Sequence, residues 1–175
     1  MASFIADTLF DFMSETVREA GTITKRFFLS GTAVLSKPDA SPVTEADLAA
    51  ERFIRDQIKK RFPEHGIIGE EFGAEGNADL AWIIDPIDGT KSFIHGVPLY
   101  TTLLALVDNG KPVCGAIYAP ATGELCMAVK GAGCFFNGNK TTVRSCKNLA
   151  QATLLTTDYP HIEKRGFATP WAKLA

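Results

Sequence analysis

Asp85 and Asp88 stand three residues apart at the end of an apolar run, in Trp82-Ile83-Ile84-Asp85-Pro86-Ile87-Asp88-Gly89-Thr90. Two carboxylates delivered by one strand end face one spot, and bringing them together costs Coulomb energy unless a cation lies between them. The donors are oxygens, with no His or Cys among these residues, which suits a hard cation, magnesium before zinc. Gly89 lets a ligand approach the backbone closely, and Thr90 opens a short helix whose free N–H groups suit a phosphate. A cation site beside a phosphate site is what metal-assisted phosphoryl transfer to water requires. Taken alone, the pair also reads as a turn, because Asp-Pro and Asp-Gly are common turn dipeptides.

Two further stretches bear on that choice. Gly69-Glu70-Glu71 follows the apolar pair Ile67-Ile68, so Glu70 also lies just past a buried strand. By itself it is equally a solvated acidic loop. Thr44-Glu45-Ala46-Asp47 has the spacing of a helix capping box. Its functional reading turns Asp47 toward the site as a hydrogen-bond acceptor.

The elements that must position these residues follow from periodicity. Ile5, Leu9, Phe12, Val17, Ala20 and Phe27 recur at helical spacing and predict a helix over residues 4–29. Residues 31–42 read as loop, broken by Lys37-Pro38 and Ser41-Pro42. A second helix is expected from Glu45 to Phe62, capped by Thr44 and stopped by Pro63. Short buried strands follow at 67–68 and 81–85, the latter ended by Pro86. Residues 101–107 and 113–119 form a hairpin across Asp108-Asn109-Gly110. Strands at 125–129 and 134–136 come next, and Asn137-Gly138 turns the chain into a strand at 141–144. Two helices followed by a mainly antiparallel set of strands favour an α+β layered domain over a doubly wound parallel sheet. Near the end, Thr169 is placed as an N-cap with Pro170 at the first helical position.

Composition excludes several classes. The 175 residues carry 18 Lys and Arg against 20 Asp and Glu, with no basic stretch, so there is no electrostatic footprint for nucleic acid. No window approaches the run of about 18 apolar residues that a membrane span needs, and Asp7, Asp11 and Glu15 interrupt any signal-like start. A cytoplasmic protein is expected. Cys114, Cys126, Cys134 and Cys146 form no Cys-x-x-Cys pair, so they read as reduced thiols, with Cys114 and Cys126 inside apolar strands.

The ordered set Pro-Val-Thr-Glu-Ala-Asp (residues 42–47), Gly-Glu-Glu (69–71) and Trp-Ile-Ile-Asp-Pro-Ile-Asp-Gly-Thr-Lys-Ser-Phe (82–93), with the hairpin-rich region after it, resembles the inositol monophosphatase family. The resemblance implies a magnesium-dependent phosphomonoesterase with an αβαβα layered sandwich of the sugar-phosphatase type. By the family's pattern, Glu70, Asp85 and the carbonyl of Ile87 would hold a first metal. Asp85 and Asp88 would hold a second, and a complete site takes two or three Mg2+ ions. Asp88, Gly89 and Thr90 would cradle the substrate phosphate. Thr90 and Asp47 would orient and help deprotonate the attacking water, and Glu70 would support a further water. The form Thr90-Lys91-Ser92-Phe93, with Pro98-Leu99 after it, is most similar to the bacterial histidinol-phosphate phosphatase branch, which implies a role in histidine biosynthesis. An inositol-1-phosphate phosphatase is the nearest alternative. His95 matches no role in the pattern and reads as a surface or packing histidine.

Family members carry a further Trp-Asp or Tyr-Asp element that completes the second metal site. Asp158 precedes Tyr159 and lies too early to take that place. Residues 1–175 are therefore expected to be a single phosphatase domain, truncated at its C-terminus and lacking much of the second α/β layer. A small phosphorylated metabolite is the expected partner, and the exposed apolar faces of such a chain favour a homodimer. A noncatalytic metal- or phosphate-binding module is the alternative of another class. The chain alone is expected to bind metal at the first site and to turn over poorly. A phosphate-release assay against a longer version of the chain checks this, and equal magnesium-dependent turnover by both would refute it.

Overall fold

The computed structural model describes residues 2–31, 33–36, 42–153 and 159–174. Contacts divide the chain into two compact units, residues 1–141 and 142–175. The first unit holds every residue that the sequence singles out for chemistry.

Helix α1 spans Ala2–Phe27. Leu9, Met13, Val17 and Ala20 make one buried stripe along it. Its last turn carries Lys25 and Arg26, which suit the negative end of the helix dipole. Helix α2 spans Glu45–Arg61 and starts as expected at Thr44, whose backbone is extended. Ala46, Ala50, Ile54 and Ile58 are fully buried on it. The expected loop before α2 contains a small hairpin, β1 (Val34–Ser36) with β2 (Pro42–Thr44). Strands of three residues are too short for an alternating pattern to show in sequence.

Eight strands form the main sheet: β3 (Gly66–Gly69), β4 (Gly73–Glu75), β5 (Leu80–Asp88), β6 (Thr101–Asp108), β7 (Lys111–Ala119), β8 (Glu124–Val129), β9 (Gly133–Phe136) and β10 (Asn139–Thr141). Their spatial order is β10-β9-β8-β7-β6-β5-β3-β4. All neighbours are antiparallel except β3 and β5, which run parallel. Strand β4 was not anticipated. The last strand begins earlier than predicted, because the tight Asn137-Gly138 turn lets Asn139 pair at once with Phe136.

Helices α1 and α2 pack together and cover one sheet face, α1 over β6 to β8 and α2 over β5. The alternation along β5 sorts its side chains: Trp82 and Ile84 are buried under the helices, and Ile83 between them is 42% exposed. The other face carries Ile83, Leu103, Ile117 and Cys126 around a shallow apolar groove of about 440 Å³. Phe12, Phe62, His65 and Trp82 close the end of the helix-side core with stacked and edge-on ring contacts. This is the α+β layering expected from the element order.

All four cysteines are free thiols. Burial pushes the Cys114 thiol up to about 11, so it behaves as a small apolar side chain. In the second unit, a 3-10 turn at Leu149–Gln151 precedes α4 (Tyr159–Lys164) and α5 (Ala168–Leu174). Helix α5 starts at Ala168, so Thr169 lies inside the first turn instead of capping it. Pro170 is tolerated there because first-turn N–H groups have no helical partner. Asp158 lies outside the described residues. No described helix is long and apolar enough to cross a membrane.

The two faces of β5 predict different stabilities. Ile84→Ala is expected to lose about 2–5 kcal/mol, and Ile83→Ala about 1 kcal/mol or less. Urea unfolding midpoints of the two variants check the order.

Candidate metal and phosphate site

Strand β5 does not stop at Pro86 as predicted; it continues to Asp88. Its pairing with β6 is regular to Asp85 opposite Leu103, slips, and resumes with Asp88 opposite Thr101. The slip absorbs the missing N–H of Pro86. The fully buried Thr102 donates its hydroxyl to the Pro86 carbonyl at 2.9 Å, which satisfies the acceptor that the slip displaces. The irregularity therefore re-aims the end of β5 without leaving that carbonyl unpaired.

Glu70 reaches the same place from β3. The parallel register sets Gly69 opposite Ile84, and the Glu70 N–H donates to the Ile84 carbonyl at 3.2 Å. Glu70 thus lies beside Asp85, near enough for its charge to act on the Asp85 carboxyl. Burial pushes the Asp85 carboxyl up to about 7, the Glu70 charge pushes the same way, and the Asp88 charge adds to it. Asp85 Oδ1 is buried with no hydrogen-bond partner among the described residues. A buried carboxylate oxygen without a donor is costly unless something positive takes its lone pairs.

Ile87 has its side chain buried, and its carbonyl accepts the Thr90 hydroxyl at 3.0 Å. That carbonyl keeps a second lone pair, and the Thr90 oxygen keeps its own acceptor capacity. Asp88 is exposed at the strand end. Gly89 follows with φ of 91°, a conformation that favours glycine, and a Cβ there would sit 2.9 Å from the Leu99 carbonyl. Helix α3 (Thr90–Ile94) then begins without a side-chain cap, so no capping side chain takes its leading N–H groups.

Asp47 is 1% exposed and accepts both the N–H and the hydroxyl of Thr44, at 2.7 and 2.6 Å. The capping box is therefore formed. Ala46, beside it, packs with Ile87, Phe93 and Tyr100, which brings the first turn of α2 to the end of β5 and the start of α3. His95 is exposed and its Nδ1 lies 2.7 Å from the Lys91 carbonyl, on its own short helix.

The donor set fits a hard cation. The close donors are carboxylate and carbonyl oxygens, and one carboxylate oxygen is buried without a partner among the described residues. Among the described residues, no three Asp, Glu, His or Cys side chains converge into a cage for an ion. Glu70, Asp85 and the Ile87 carbonyl offer hard oxygen donors from one side only, which leaves the remaining positions of any bound cation to water or phosphate oxygens. Sequence reasoning missed Glu51 and Arg55, which are buried on α2 behind Glu70. Their spacing as an i,i+4 pair was visible, but on a helix that spacing usually marks a solvated surface pair.

Fold and site together define a layered α+β protein with a carboxylate pair suited to a hard cation beside an uncapped glycine turn. The chain belongs to the inositol monophosphatase family, whose profile matches residues 6–170. It is 43% identical over 150 residues to a histidinol-phosphatase of Chlorobaculum parvum, covering 85% of this chain and 58% of that one. It is 39% identical over 151 residues to inositol monophosphatase 3 of Solanum lycopersicum, covering 83% and 56% of the two chains. The crystal structure of the extragenic suppressor protein suhB from Bartonella henselae superposes with a TM-score of 0.76 at 33% identity, over 81% of this chain and 57% of that one. The chain spans about half the length of the curated relatives it matches.

The raised Asp85 sets a pH dependence. An unfolded aspartate titrates near its ordinary 3.8, so between about pH 4 and 7 the folded chain holds a proton that the unfolded chain has released. Stability from this group therefore falls as pH rises through that window, and its full cost is present above about pH 7. Asp85→Asn is expected to flatten that fall in Tm, and Mg2+ at about pH 8 is expected to raise the wild-type Tm more than that of the variant. Thermal scans with and without Mg2+ check both.

Proposed function

We propose that the chain carries the core of a magnesium-dependent phosphomonoesterase site, acting on a small phosphorylated alcohol, with histidinol phosphate as the first substrate. The observation that carries the reading is the closeness of Glu70 to Asp85, whose Oδ1 is buried with no hydrogen-bond partner among the described residues, next to the Asp88-Gly89-Thr90 turn.

In this reading Glu70, Asp85 and the Ile87 carbonyl hold one ion, and Asp85 with Asp88 contributes to a second. When bound, magnesium supplies charge for the phosphoryl oxygens and acidifies a water. Asp88 and the N–H groups after Gly89 hold the phosphate. Thr90 commits its proton to the Ile87 carbonyl and so presents its oxygen as an acceptor for the attacking water. Asp47 is fixed in orientation by two donors from Thr44 and serves as the second acceptor for that water. The water gives a proton toward Asp47 as it attacks phosphorus in line, the ester P–O bond breaks with its electron pair on the alkoxide, and the alkoxide takes a proton from solvent while Asp47 returns its own to bulk water.

The substrate choice is supported by the Lys91-Ser92 form of the turn and by the similarity to a histidinol-phosphatase. Similarity to an inositol monophosphatase keeps inositol 1-phosphate as the second substrate to test. Phosphate release from both, with the chain extended to the length of its relatives, checks the reading. Release is expected to require Mg2+ and to be faster with histidinol phosphate. Asp88→Asn is expected to lower kcat by about a hundredfold or more with the fold retained. Full activity of that variant removes Asp88 from the chemistry, and faster release from inositol 1-phosphate reverses the substrate assignment.

A further inference from the structure

Helix α2 carries a second buried stripe besides its apolar one. Asp47, Glu51 and Arg55 follow each other at intervals of one turn, and all three are buried, Glu51 completely. The Glu51 carboxylate reaches the segment that leaves β3. One oxygen accepts the Glu71 N–H at 2.7 Å. The other accepts the Phe72 N–H at 3.2 Å and the Arg55 Nε at 2.8 Å. Arg55 carries the network onward, donating to the Gly73 carbonyl and, at 2.9 Å, to Glu75.

Glu70 is bracketed by these contacts. Before it, Gly69 lies so near Glu51 that a Cβ there would fall 1.9 Å from Glu51 Oε1. After it, the next two peptide N–H groups are held by Glu51. Its own N–H is held by Ile84 of β5. A buried ion pair of this kind is a poor source of net stability, because desolvation offsets most of the attraction. What two backbone N–H groups on one carboxylate held by Arg55 do supply is a fixed position for the segment they come from.

We propose that Glu51, held by Arg55, is a positioning residue that sets Glu70 against Asp85 and thereby tunes metal affinity. The proposal rests on the reading of Glu70 and Asp85 as a metal site. It adds that α2 organises the site twice, through Asp47 at its first turn and through Glu51 one turn later.

Binding of Mn2+ alone to the 175-residue chain, followed by electron paramagnetic resonance well below Tm, tests it without any turnover. Glu51→Gln removes the charge and one acceptor. Gly69→Ala changes no charge but forces the Glu51 carboxylate aside. Both are expected to raise the Kd for Mn2+ by about 10–100-fold, the range for residues that orient metal ligands. Ile58→Val, a core change on the same helix, is expected to stay within about twofold, since it touches no polar group of the network. Mn2+ binding by Glu51→Gln and Gly69→Ala that matches wild type overturns the positioning role. So does a loss confined to Glu51→Gln, which would be a charge effect. If Glu51→Gln fails to fold, Gly69→Ala and Arg55→Lys decide by the same criterion. Asp85→Asn separates the two levels. Unchanged Mn2+ affinity in that variant overturns the metal site itself, whereas its loss beside unaffected Glu51 and Gly69 variants overturns only the positioning role.

Discussion

Glu70 and Asp85 meet because β3 runs parallel to β5, the one parallel pairing in a sheet that is otherwise antiparallel. Parallel strands end on the same side, so two carboxyl groups from separate strands are delivered to one end of the sheet. Every other feature of the site answers that placement. The slip between Asp85 and Asp88 turns the strand end, Thr102 satisfies the displaced carbonyl, and Gly89 takes the backbone conformation that starts α3.

That convergence works against stability. Burial and the Glu70 charge push the Asp85 carboxyl up to about 7, and one of its oxygens has no donor among the described residues. A chain selected only for folding would place apolar groups there. The surrounding structure is built to tolerate the cost: Trp82 and Ile84 anchor β5 under the helices, and the α2 stripe grips the segment after β3. Strain of this kind, held by rigid neighbours, is characteristic of sites that bind charge. A cation among these oxygens would relieve the repulsion, so binding and folding are linked through the same group.

Family membership and geometry inform different things. The similarity to histidinol and inositol phosphatases bears on reaction class and substrate. The geometry shows how the first turn of α2, the end of β3 and the end of β5 are brought to one place by Ala46 packing on Ile87 and Phe93, and by the Glu51–Arg55 network. The open apolar face of the sheet belongs to the same unit, and Ile117 on it is 51% exposed.

Much of this was legible in the residues themselves. Helix periodicity located α1 and α2, Thr44 marked a helix start, and the Asp-Asn-Gly and Asn-Gly turns located the hairpins. Those signals are local, since propensity, caps and turns act over a few neighbouring residues. Glu70, Asp85 and Asp88 stood out as candidates because chemistry restricts residue type, and the structure sets them near one another. Pairing was not legible: the three-residue strands β1, β2 and β4, the continuation of β5 through Pro86, and the parallel partner of β3 depend on backbone groups far away in the chain. Burial of Glu51 and Arg55 was hidden for the same reason. By itself the sequence determined which groups are present and where helices begin. Only the tertiary structure decided which carboxylates lie together, and which helix face holds the segment that carries them, because those are interactions between residues that contact only after the chain has folded.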